Sequence, residues 1–385
     1  MAARGRILVA TFGSAGDLFP LIPLIGGLRL DGFDVRAAAP RGLGLYLRAL
    51  GWPCIALGDG SEMGVVDDPE IFTTARAGWK SWELTFDRYL APNIPNDVAR
   101  LTRSFEGWRP DLVVATSFAV AARIAARLAD LPTLHLSMYP EHRHLDGASE
   151  LAPSYRTTVR ATLGREPDGP ILWGQPADVL LHDRALLGSI AGPAPIGFPY
   201  WDAAGGDPSD IAVVERLMAA PEPPVLVTLG SFVGLGRQTA WLDAVTAVRR
   251  AGRSALLVGP RGRWADERFG GQPDVTTVGF VPLHDAYADA AAVIHHGGLG
   301  TTFGALRVGA PAAVLPQAFD QPDNARLIDA AGVGADASTR SLDAALHSVL
   351  TDPDLRARAE RTARLLPGAG EVVDRFRRAI EGHLR

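Results

Sequence analysis

Short apolar runs alternate with amphipathic stretches along almost the whole chain. This alternation is typical of βα units in which each strand joins a parallel sheet. In the first half, the predicted strands are Ile7–Phe12, Val35–Ala39, Leu112–Thr116 and Thr133–Met138. In the second half, they are Val225–Leu229, Ala255–Val258, Thr276–Val278, Ala292–His295 and Ala312–Leu315. The pattern therefore predicts an α/β protein built from two βαβ assemblies.

The stretches between these runs predict helices at Leu18–Leu30, Arg41–Leu50, Ala119–Ala129, Gln238–Arg250, Thr302–Val308 and Asp323–Ala331. A segment rich in proline and glycine, from Gly192 to Pro224, separates the two halves and has the composition of a linker. A chain of 385 residues also exceeds what one hydrophobic core usually serves. We predict a first domain over residues 1–204, a second over 205–370 and a C-terminal helix within 371–385.

Composition narrows the class of protein without identifying it. Apolar residues make up 47% and charged residues 21%, as in an ordinary globular enzyme. The net charge of −5 argues against nucleic acid as a partner, because binding to a phosphate backbone needs clustered basic residues. Cys54 is the single cysteine, which excludes an intrachain disulfide. Neither a signal peptide nor a membrane span is apparent, so the predicted location is the cytoplasm, with at most peripheral membrane contact.

The segment from Ala292 to Gln321 carries the strongest chemical signal. An apolar strand ends at His295-His296-Gly297-Gly298, a helix follows, and a second strand leads to Asp320-Gln321. A strand that breaks at glycines and restarts as a helix presents free backbone N–H groups and the positive end of the helix dipole. Phosphate is the usual occupant of such a site. The alternative is that the two histidines are only hydrogen-bonded spacers.

A second glycine-rich turn follows the first strand and reads Thr11-Phe12-Gly13-Ser14-Ala15-Gly16-Asp17. It lacks the Gly-x-Gly-x-x-Gly spacing of dinucleotide sites, which disfavours a nicotinamide enzyme. Asp17 stands at the start of the next helix. An aspartate there is commonly just a helix cap, and a chemical role has to be weighed against that structural one.

Both segments resemble family 1 glycosyltransferases. The first is similar to the donor signature His-His-Gly-Gly-x-Gly-Thr-Thr, with later Gly-x-Pro and Asp-Gln, of the bacterial antibiotic, sterol and rhamnolipid branch. The second resembles the Gly-Ser-x-Gly-Asp-x-x-Pro opening of the same enzymes. The resemblance implies the GT-B fold, in which two Rossmann-like domains with parallel sheets face each other across a cleft. It also implies that the C-terminal helix crosses back to the first domain.

The resemblance assigns the donor-binding residues in the second domain. His296, Gly298, Gly300 and Thr301 would hold the diphosphate, and His296 would help to neutralise its charge. A His296 side chain closed off from solvent would count against this arrangement. The other assigned contacts are Ser231 to phosphate, Phe280 and Val281 to the base, and Asp320 and Gln321 to sugar hydroxyls. Plant members carry a ribose-binding glutamate where this chain has Gly304, which leaves the ribose contacts open.

In the first domain the resemblance makes Asp17 the general base for the acceptor hydroxyl. A carboxylate is a weak base toward an alcohol, so it must act while the sugar–phosphate bond is breaking. Plant relatives use a histidine oriented by a second aspartate, but the comparable segment here reads Thr116-Ser117-Phe118. His135 competes for the role of base, although a histidine within an apolar strand is more often a core residue.

Aromatic residues in and around residues 52–108 suggest where an acceptor binds. The candidates for acceptor contact are Gly16, Trp79, Trp82, Phe86, Phe118 and Tyr139. Aromatic residues at helical spacing more often form core than cleft, and that alternative stays open, including for Tyr89 and Trp108.

Metal binding is not expected. His142, His144 and Asp146 stand at alternate positions, but their surroundings indicate a loop, and Asp352-Pro353-Asp354 indicates a turn that opens a helix. The only small molecule required besides the acceptor is then a nucleotide sugar, as co-substrate.

The predicted activity is inverting, metal-independent transfer of a hexose or deoxyhexose from a UDP- or dTDP-sugar to a lipophilic alcohol. Candidate acceptors are natural products, sterol-like compounds and lipids. Two alternatives remain, a nucleotide-sugar epimerase of the same fold and a non-catalytic protein that binds a nucleotide sugar. The oligomeric state is not predicted.

Overall fold

The computed structural model describes residues 3–60, 68, 70–71, 83–138, 157–164, 178–187, 194–201, 206–230, 238–260 and 263–385. The chain forms two compact units, each with one six-stranded sheet. The first unit comprises Met1–Pro199 and Pro367–Arg385, and the second comprises Tyr200–Leu366. The divisions lie a few residues before the boundaries that we placed at 204 and 370.

The sheet of the first unit is parallel throughout, with strand order β3-β2-β1-β4-β5-β6. Its strands are β1 Arg6–Ala10, β2 Asp34–Pro40, β3 Cys54–Leu57, β4 Leu112–Thr116, β5 Thr133–Ser137 and β6 Val179–Leu180. Its helices are α1 Ala15–Leu18, α2 Leu21–Leu30, α3 Gly44–Ala49, α4 Ile94–Gly107, α5 Val120–Leu128 and α6 Arg184–Leu187. The central strands β1 and β4 are buried except at Arg6, because helices cover both faces of a parallel sheet.

One predicted helix of the first unit is wrong in detail. The helix predicted from Leu18 to Leu30 is two helices, and Pro20 stands between them. Proline has no backbone N–H and cannot continue a helical ladder, so the chain turns there. In the excursion after β3, a π-helical turn at Phe86–Leu90 and a 3₁₀ turn at Ala91–Asn93 lead into α4.

The C-terminal helix, Ala369–His383, belongs to the first unit. Val372, Phe376 and Ile380 recur every four residues, and each is completely buried. They form the apolar stripe expected of a helix that packs on a core. Gly27 of α2 lies against Val373 so closely that a Cβ at position 27 would collide with the valine side chain. A salt bridge between Arg4 and Glu381 adds a second contact with the start of the chain.

The sheet of the second unit is also parallel, with strand order β12-β11-β10-β7-β8-β9. Its strands are β7 Val225–Thr228, β8 Ala255–Val258, β9 Val275–Val278, β10 Ala292–His295, β11 Ala312–Val314 and β12 Gly334–Asp336. Its helices are α7 Pro208–Met218, α8 Gln238–Arg250, α9 Arg263–Phe269, α10 His284–Asp289, α11 Leu299–Arg307, α12 Gln321–Ala331, α13 Leu342–Thr351 and α14 Pro353–Ala363. The short strand β12 was not predicted, because its Gly-Ala-Asp sequence has no apolar run.

Within the described residues, no helix combines the length and the apolar character that crossing a membrane requires.

Candidate functional site

The turn between β10 and α11 leaves the start of a helix without a side-chain cap. Gly298 is the N-cap of α11, and no side chain caps this end. The first N–H groups of any helix have no partner within the helix, and the helix dipole adds positive potential there. Thr301 Oγ donates to the Gly298 carbonyl at 2.8 Å, which braces the first turn. The predicted helix began at Thr302, three residues too late, because its glycine-rich first turn does not look helical.

His296 lies in a slot between two glycines. A Cβ at Gly230 would come within 2.5 Å of its ring, and a Cβ at Gly298 would collide with Nε2. Gly230 has a φ of 71°, a conformation that favours glycine independently of the ring contact. The side chain is only 9% exposed. Among the described residues, no group hydrogen-bonds its buried Nδ1 atom.

Burial changes the expected chemistry of His296. Loss of solvent lowers the pKa of the imidazole to about 4, although a hydrogen bond with the Thr228 backbone opposes the shift. The ring is therefore neutral at pH 7 in the unliganded protein. The prediction that His296 supplies positive charge to a diphosphate is wrong for this state. The burial of the ring also counts against His296 as a solvent-exposed, charged contact for the diphosphate. The neutral ring offers a hydrogen-bonding atom instead.

His295 shapes the same turn from inside the core. It is completely buried, and its Nδ1 accepts a hydrogen bond from the Gly297 N–H at 2.9 Å. The proton of the neutral ring is therefore assigned to Nε2. Burial, and secondarily the neighbouring His296, lower its pKa to about 3. Of the two histidines, His295 is a structural spacer, which is the alternative left open by the sequence.

The Gln321 side chain forms hydrogen bonds with the backbone of the preceding loop. Its Oε1 accepts from the N–H groups of Gln317 at 2.8 Å and Ala318 at 3.0 Å, and the residue is buried. These bonds hold the loop after β11, in which Phe319 has a φ of 58° that is unusual for a residue with a side chain. The oxygen of the amide predicted to bind sugar hydroxyls thus already accepts two backbone hydrogen bonds.

Asp320 and Gly297 are joined by a residue that the sequence did not single out. Asn324 Nδ2 donates to Asp320 Oδ2 at 2.7 Å and to the Gly297 carbonyl at 2.8 Å. Asp320 occupies the N-cap position of α12, but its side chain makes no capping bond, so the capping alternative is wrong. The one signal for Asn324 was its position four residues after Asp320, which places both on one helix face.

Phe280 is presented at the end of the loop after β9. Its side chain is 50% exposed, whereas Val281 is buried. Asp210 of α7 accepts from the Gly279 N–H at 2.8 Å, and Gly206 lies against the Phe280 carbonyl, where a Cβ would come within 2.7 Å. A firmly held loop with an exposed ring suits stacking on a nucleotide base. Ser231, predicted to contact phosphate, lies outside the described residues.

The surroundings of Gly304 leave no room for the ribose-binding glutamate that plant members carry at this position. A Cβ at this position would lie 2.7 Å from the Tyr287 ring and 2.8 Å from the Tyr200 ring. Tyr287 is buried, and the Tyr200 ring lies 6.3 Å from that of His284. The two tyrosines fill the space into which a glutamate side chain would extend.

Asp17 is held in the capping box of α1. Ser14 is the N-cap, and Asp17 Oδ2 accepts from the Ser14 N–H at 2.8 Å and from its hydroxyl at 3.1 Å. Gly13 has a φ of 130°, and a Cβ there would collide with the Asp17 carboxylate. Asp17 is therefore the N3 member of the capping box rather than the N-cap that the sequence suggested, and it remains partly exposed. Capping and proton transfer are compatible roles for one carboxylate.

His135 is paired with a neighbour inside the first unit. Its Nε2 lies 3.2 Å from the Ser117 hydroxyl, and its backbone N–H donates to Asp178 Oδ2 at 2.6 Å. The side chain is buried. These contacts favour the core role for His135 over that of a competing base.

The predicted acceptor residues separate into four groups. Phe86 and Trp108 are buried in the hydrophobic core of the first unit, so the acceptor role of Phe86 is wrong and the core alternative holds. Phe118 lines a cavity of about 10 Å³ with Phe12, Leu90 and Ile94, enough space for one water molecule. Gly16 is exposed. Trp79, Trp82 and Tyr139 lie outside the described residues.

No cluster of three histidine, cysteine or acidic side chains in the described part of the chain is arranged to hold a metal ion. The candidates His142, His144 and Asp146 are not among those residues.

Comparison with known proteins supports the same interpretation of both units. Residues 268–375, which include the His295–Gly298 turn, match the family described as the C-terminal domain of erythromycin biosynthesis protein CIII-like proteins. The chain is 29% identical to the elloramycin glycosyltransferase of Streptomyces olivaceus, covering 97% of each chain. It is 28% identical to the vancomycin aglycone glucosyltransferase of Amycolatopsis orientalis, covering 96% of this chain and 95% of that one.

The chain is a glycosyltransferase and is similar to those of antibiotic biosynthesis. Its fold is GT-B, as in the solved glycosyltransferase SsfS6 of Streptomyces sp. SF2575 complexed with thymidine diphosphate. That structure superposes with a TM-score of 0.70 at 21% identity and covers 97% of this chain and all of its own. The predicted fold class and enzyme class are confirmed, and the matches support the predicted resemblance to antibiotic-type glycosyltransferases.

We predict that Gly304→Ala destabilises the glycosyltransferase. The new methyl group would collide with Tyr200 and Tyr287, and such overpacking outweighs the gain of about 1 kcal/mol from replacing glycine within a helix. The expected net loss in the free energy of unfolding is about 1–2 kcal/mol, measured by urea denaturation. Gly300→Ala on the same helix is the control, because a Cβ there meets no atom within 4 Å. Equal stability of the two variants would contradict this explanation of Gly304.

Buried neutral histidines predict that acid destabilises the second unit. In the unfolded chain an imidazole takes up a proton near pH 6.5, whereas His295 and His296 in the folded chain stay neutral down to about pH 3 and 4. The unfolded state then binds more protons, so the free energy of unfolding falls as the pH falls through this range. The expected loss is about 1.4 kcal/mol per pH unit for each histidine. Urea unfolding at about pH 7.5 and about pH 5 measures this loss.

A variant separates this effect from general acid denaturation. His295→Asn keeps an oxygen near the position of Nδ1, where it can accept from Gly297, and removes the titrating ring. Its loss between the two pH values should be smaller than that of the wild type. His347→Asn, at an exposed position of α13, is the control and should behave as the wild type does. An undiminished loss in His295→Asn would show that this histidine does not set the acid sensitivity.

Proposed function

We propose that this glycosyltransferase moves a hexose or deoxyhexose from a dTDP-sugar, with UDP-sugars as weaker donors, to a hydroxyl of a lipophilic natural product. The observation that carries the proposal is the turn from His296 to Gly298. There the uncapped end of α11 and the neutral His296 imidazole occur together. Backbone donors that need no reorganisation can stabilise the charge that grows on a departing diphosphate.

The base and ribose contacts favour a deoxynucleotide. Phe280 supplies an exposed ring for stacking, and the tyrosines around Gly304 leave no room for a carboxylate that would bind a ribose 2′-hydroxyl. A dTDP-sugar, which has no 2′-hydroxyl, therefore loses no binding free energy from the absence of that carboxylate. Thymidine diphosphate in the similar SsfS6 structure supports the same choice.

The proposed reaction is a single displacement with inversion. The acceptor oxygen attacks the anomeric carbon, its proton passes to Asp17, and the bond from that carbon to the diphosphate oxygen breaks. The nucleoside diphosphate departs with the bonding electron pair. Asp17 suits the role because the capping box fixes its carboxylate while leaving the residue partly exposed. Helix N–H groups then do the work of a metal ion, and transfer should proceed in EDTA.

The acceptor class rests on the relatives. One acts on the vancomycin aglycone, as its name states, and another is named an elloramycin glycosyltransferase. We propose a polycyclic or macrocyclic alcohol of comparable apolar character for this enzyme.

We predict that Asp17→Asn abolishes transfer while leaving nucleotide binding intact. The amide oxygen can still accept from Ser14 and preserve the capping box, but it cannot take up the acceptor proton. Transfer from dTDP-glucose to a panel of phenols and steroid alcohols should fall at least about 100-fold. The affinity for thymidine diphosphate should stay within about twofold of the wild type, since an intact cap keeps the fold.

Asp354→Asn is the matched control, because this exposed aspartate lies in the first turn of α14 and should leave transfer unchanged. Transfer by Asp17→Asn at the wild-type rate would remove Asp17 from the mechanism. Conversion of dTDP-glucose to a second nucleotide sugar without any acceptor would instead indicate an epimerase.

A further inference from the structure

Two buried threonine hydroxyls connect the ends of neighbouring strands in the first unit. The Thr116 hydroxyl, at the end of β4, lies 3.2 Å from that of Thr11, just after β1. The Thr11 hydroxyl in turn donates to the backbone carbonyl of Asp17 at 3.2 Å. Both side chains are almost completely buried. The two hydroxyls therefore form a short chain that ends on the proposed base.

The direction of these hydrogen bonds follows from proton supply. A hydroxyl has one proton to donate and two lone pairs that accept. The Asp17 carbonyl can only accept, so the proton of Thr11 is committed to it. The oxygen of Thr11 must then accept from Thr116, which makes Thr116 the first donor in the chain.

Thr116 is itself firmly anchored. Its carbonyl accepts from the Ala119 N–H at 3.0 Å and from a guanidinium N–H of the buried Arg123 at 3.3 Å. The same guanidinium nitrogen also donates to the Ala115 carbonyl. The end of β4 is thus tied to α5, and through Thr116 and Thr11 this fixed point reaches the turn that carries Asp17.

We propose that Thr116 and Thr11 are positioning residues that hold Asp17 for proton transfer. This inference rests on the proposed role of Asp17. The capping box holds the carboxylate against Ser14, whereas the threonine chain holds the backbone carbonyl of the same residue. With both ends restrained, the carboxylate keeps one position relative to β1 and β4. Neither threonine contacts the reacting atoms in this scheme, so each acts through Asp17.

The test uses threonine-to-valine variants, which keep the shape of the side chain and remove only the hydroxyl. Thr116→Val should lower kcat for transfer from dTDP-glucose to a phenol acceptor by about 10- to 100-fold, because small displacements of a catalytic group carry such costs. The KM for dTDP-glucose and the affinity for thymidine diphosphate should remain unchanged. Thr116→Ser restores the hydroxyl and should recover most of the wild-type kcat.

Thr102→Val is the matched control. Thr102 lies in α4 of the same unit, and its buried hydroxyl has no hydrogen-bond partner among the described residues. It should therefore keep the wild-type kcat. Thr11→Val and the double variant Thr11→Val/Thr116→Val add a second comparison of kcat values, because Thr116 reaches the Asp17 carbonyl only through Thr11. The double variant should be no slower than Thr11→Val alone.

A kcat within about twofold of the wild type for Thr116→Val would overturn the inference, given the losses expected for misplaced catalytic groups. So would a loss in kcat that Thr116→Ser does not restore, or effects of the two valines that multiply in the double variant. If Thr116→Val does not fold, the kcat of Thr11→Val against that of Thr102→Val decides the matter. Failure of the proposed function is distinguishable, because Asp17→Asn would then keep wild-type activity whatever the threonine variants do.

Discussion

The donor half of the molecule depends on one packing arrangement, in which the His296 ring fills the space left by Gly230 and Gly298. A side chain at either glycine would displace the ring. Gly298 is also the N-cap of α11, and without a side chain it leaves the first N–H groups of the helix uncovered. His295 and Asn324 support the same turn by bonding the N–H and the carbonyl of Gly297. These contacts shape the turn that we propose as the diphosphate site, with backbone donors and a neutral imidazole.

In the first unit, a glycine also allows a tight turn that fixes a side chain, just after β1. Gly13, in a conformation that favours glycine, lets the chain turn so tightly that the Asp17 carboxylate reaches back to Ser14. The capping box and the threonine hydroxyls then restrain a residue that remains partly exposed. In both units the proposed site residues lie where a parallel strand ends, which is where α/β folds generally place their ligands.

Periodic apolar runs made the two parallel sheets predictable, because a strand buried on both faces must be apolar throughout. Sequence patterns predict side-chain roles less well where a side chain holds the backbone or packs in the core. Gln321 looked like a sugar ligand, but its oxygen holds the backbone of its own loop. Phe86 looked like part of a cleft, yet a π-helical turn directs it into the core. The depressed pKa of His296 arises from burial, which a motif does not reveal. Asn324 acts through a contact with Gly297, distant in sequence.

The claim at the centre of this account is that the His296–Gly298 turn binds the diphosphate of the donor. Isothermal titration of thymidine diphosphate into wild type, His296→Ala and His347→Ala, in EDTA, tests it most directly. The account predicts that His296→Ala binds at least about tenfold more weakly, a loss of about 1.4 kcal/mol, while His347→Ala binds as the wild type does. Equal affinity in all three folded proteins would contradict it.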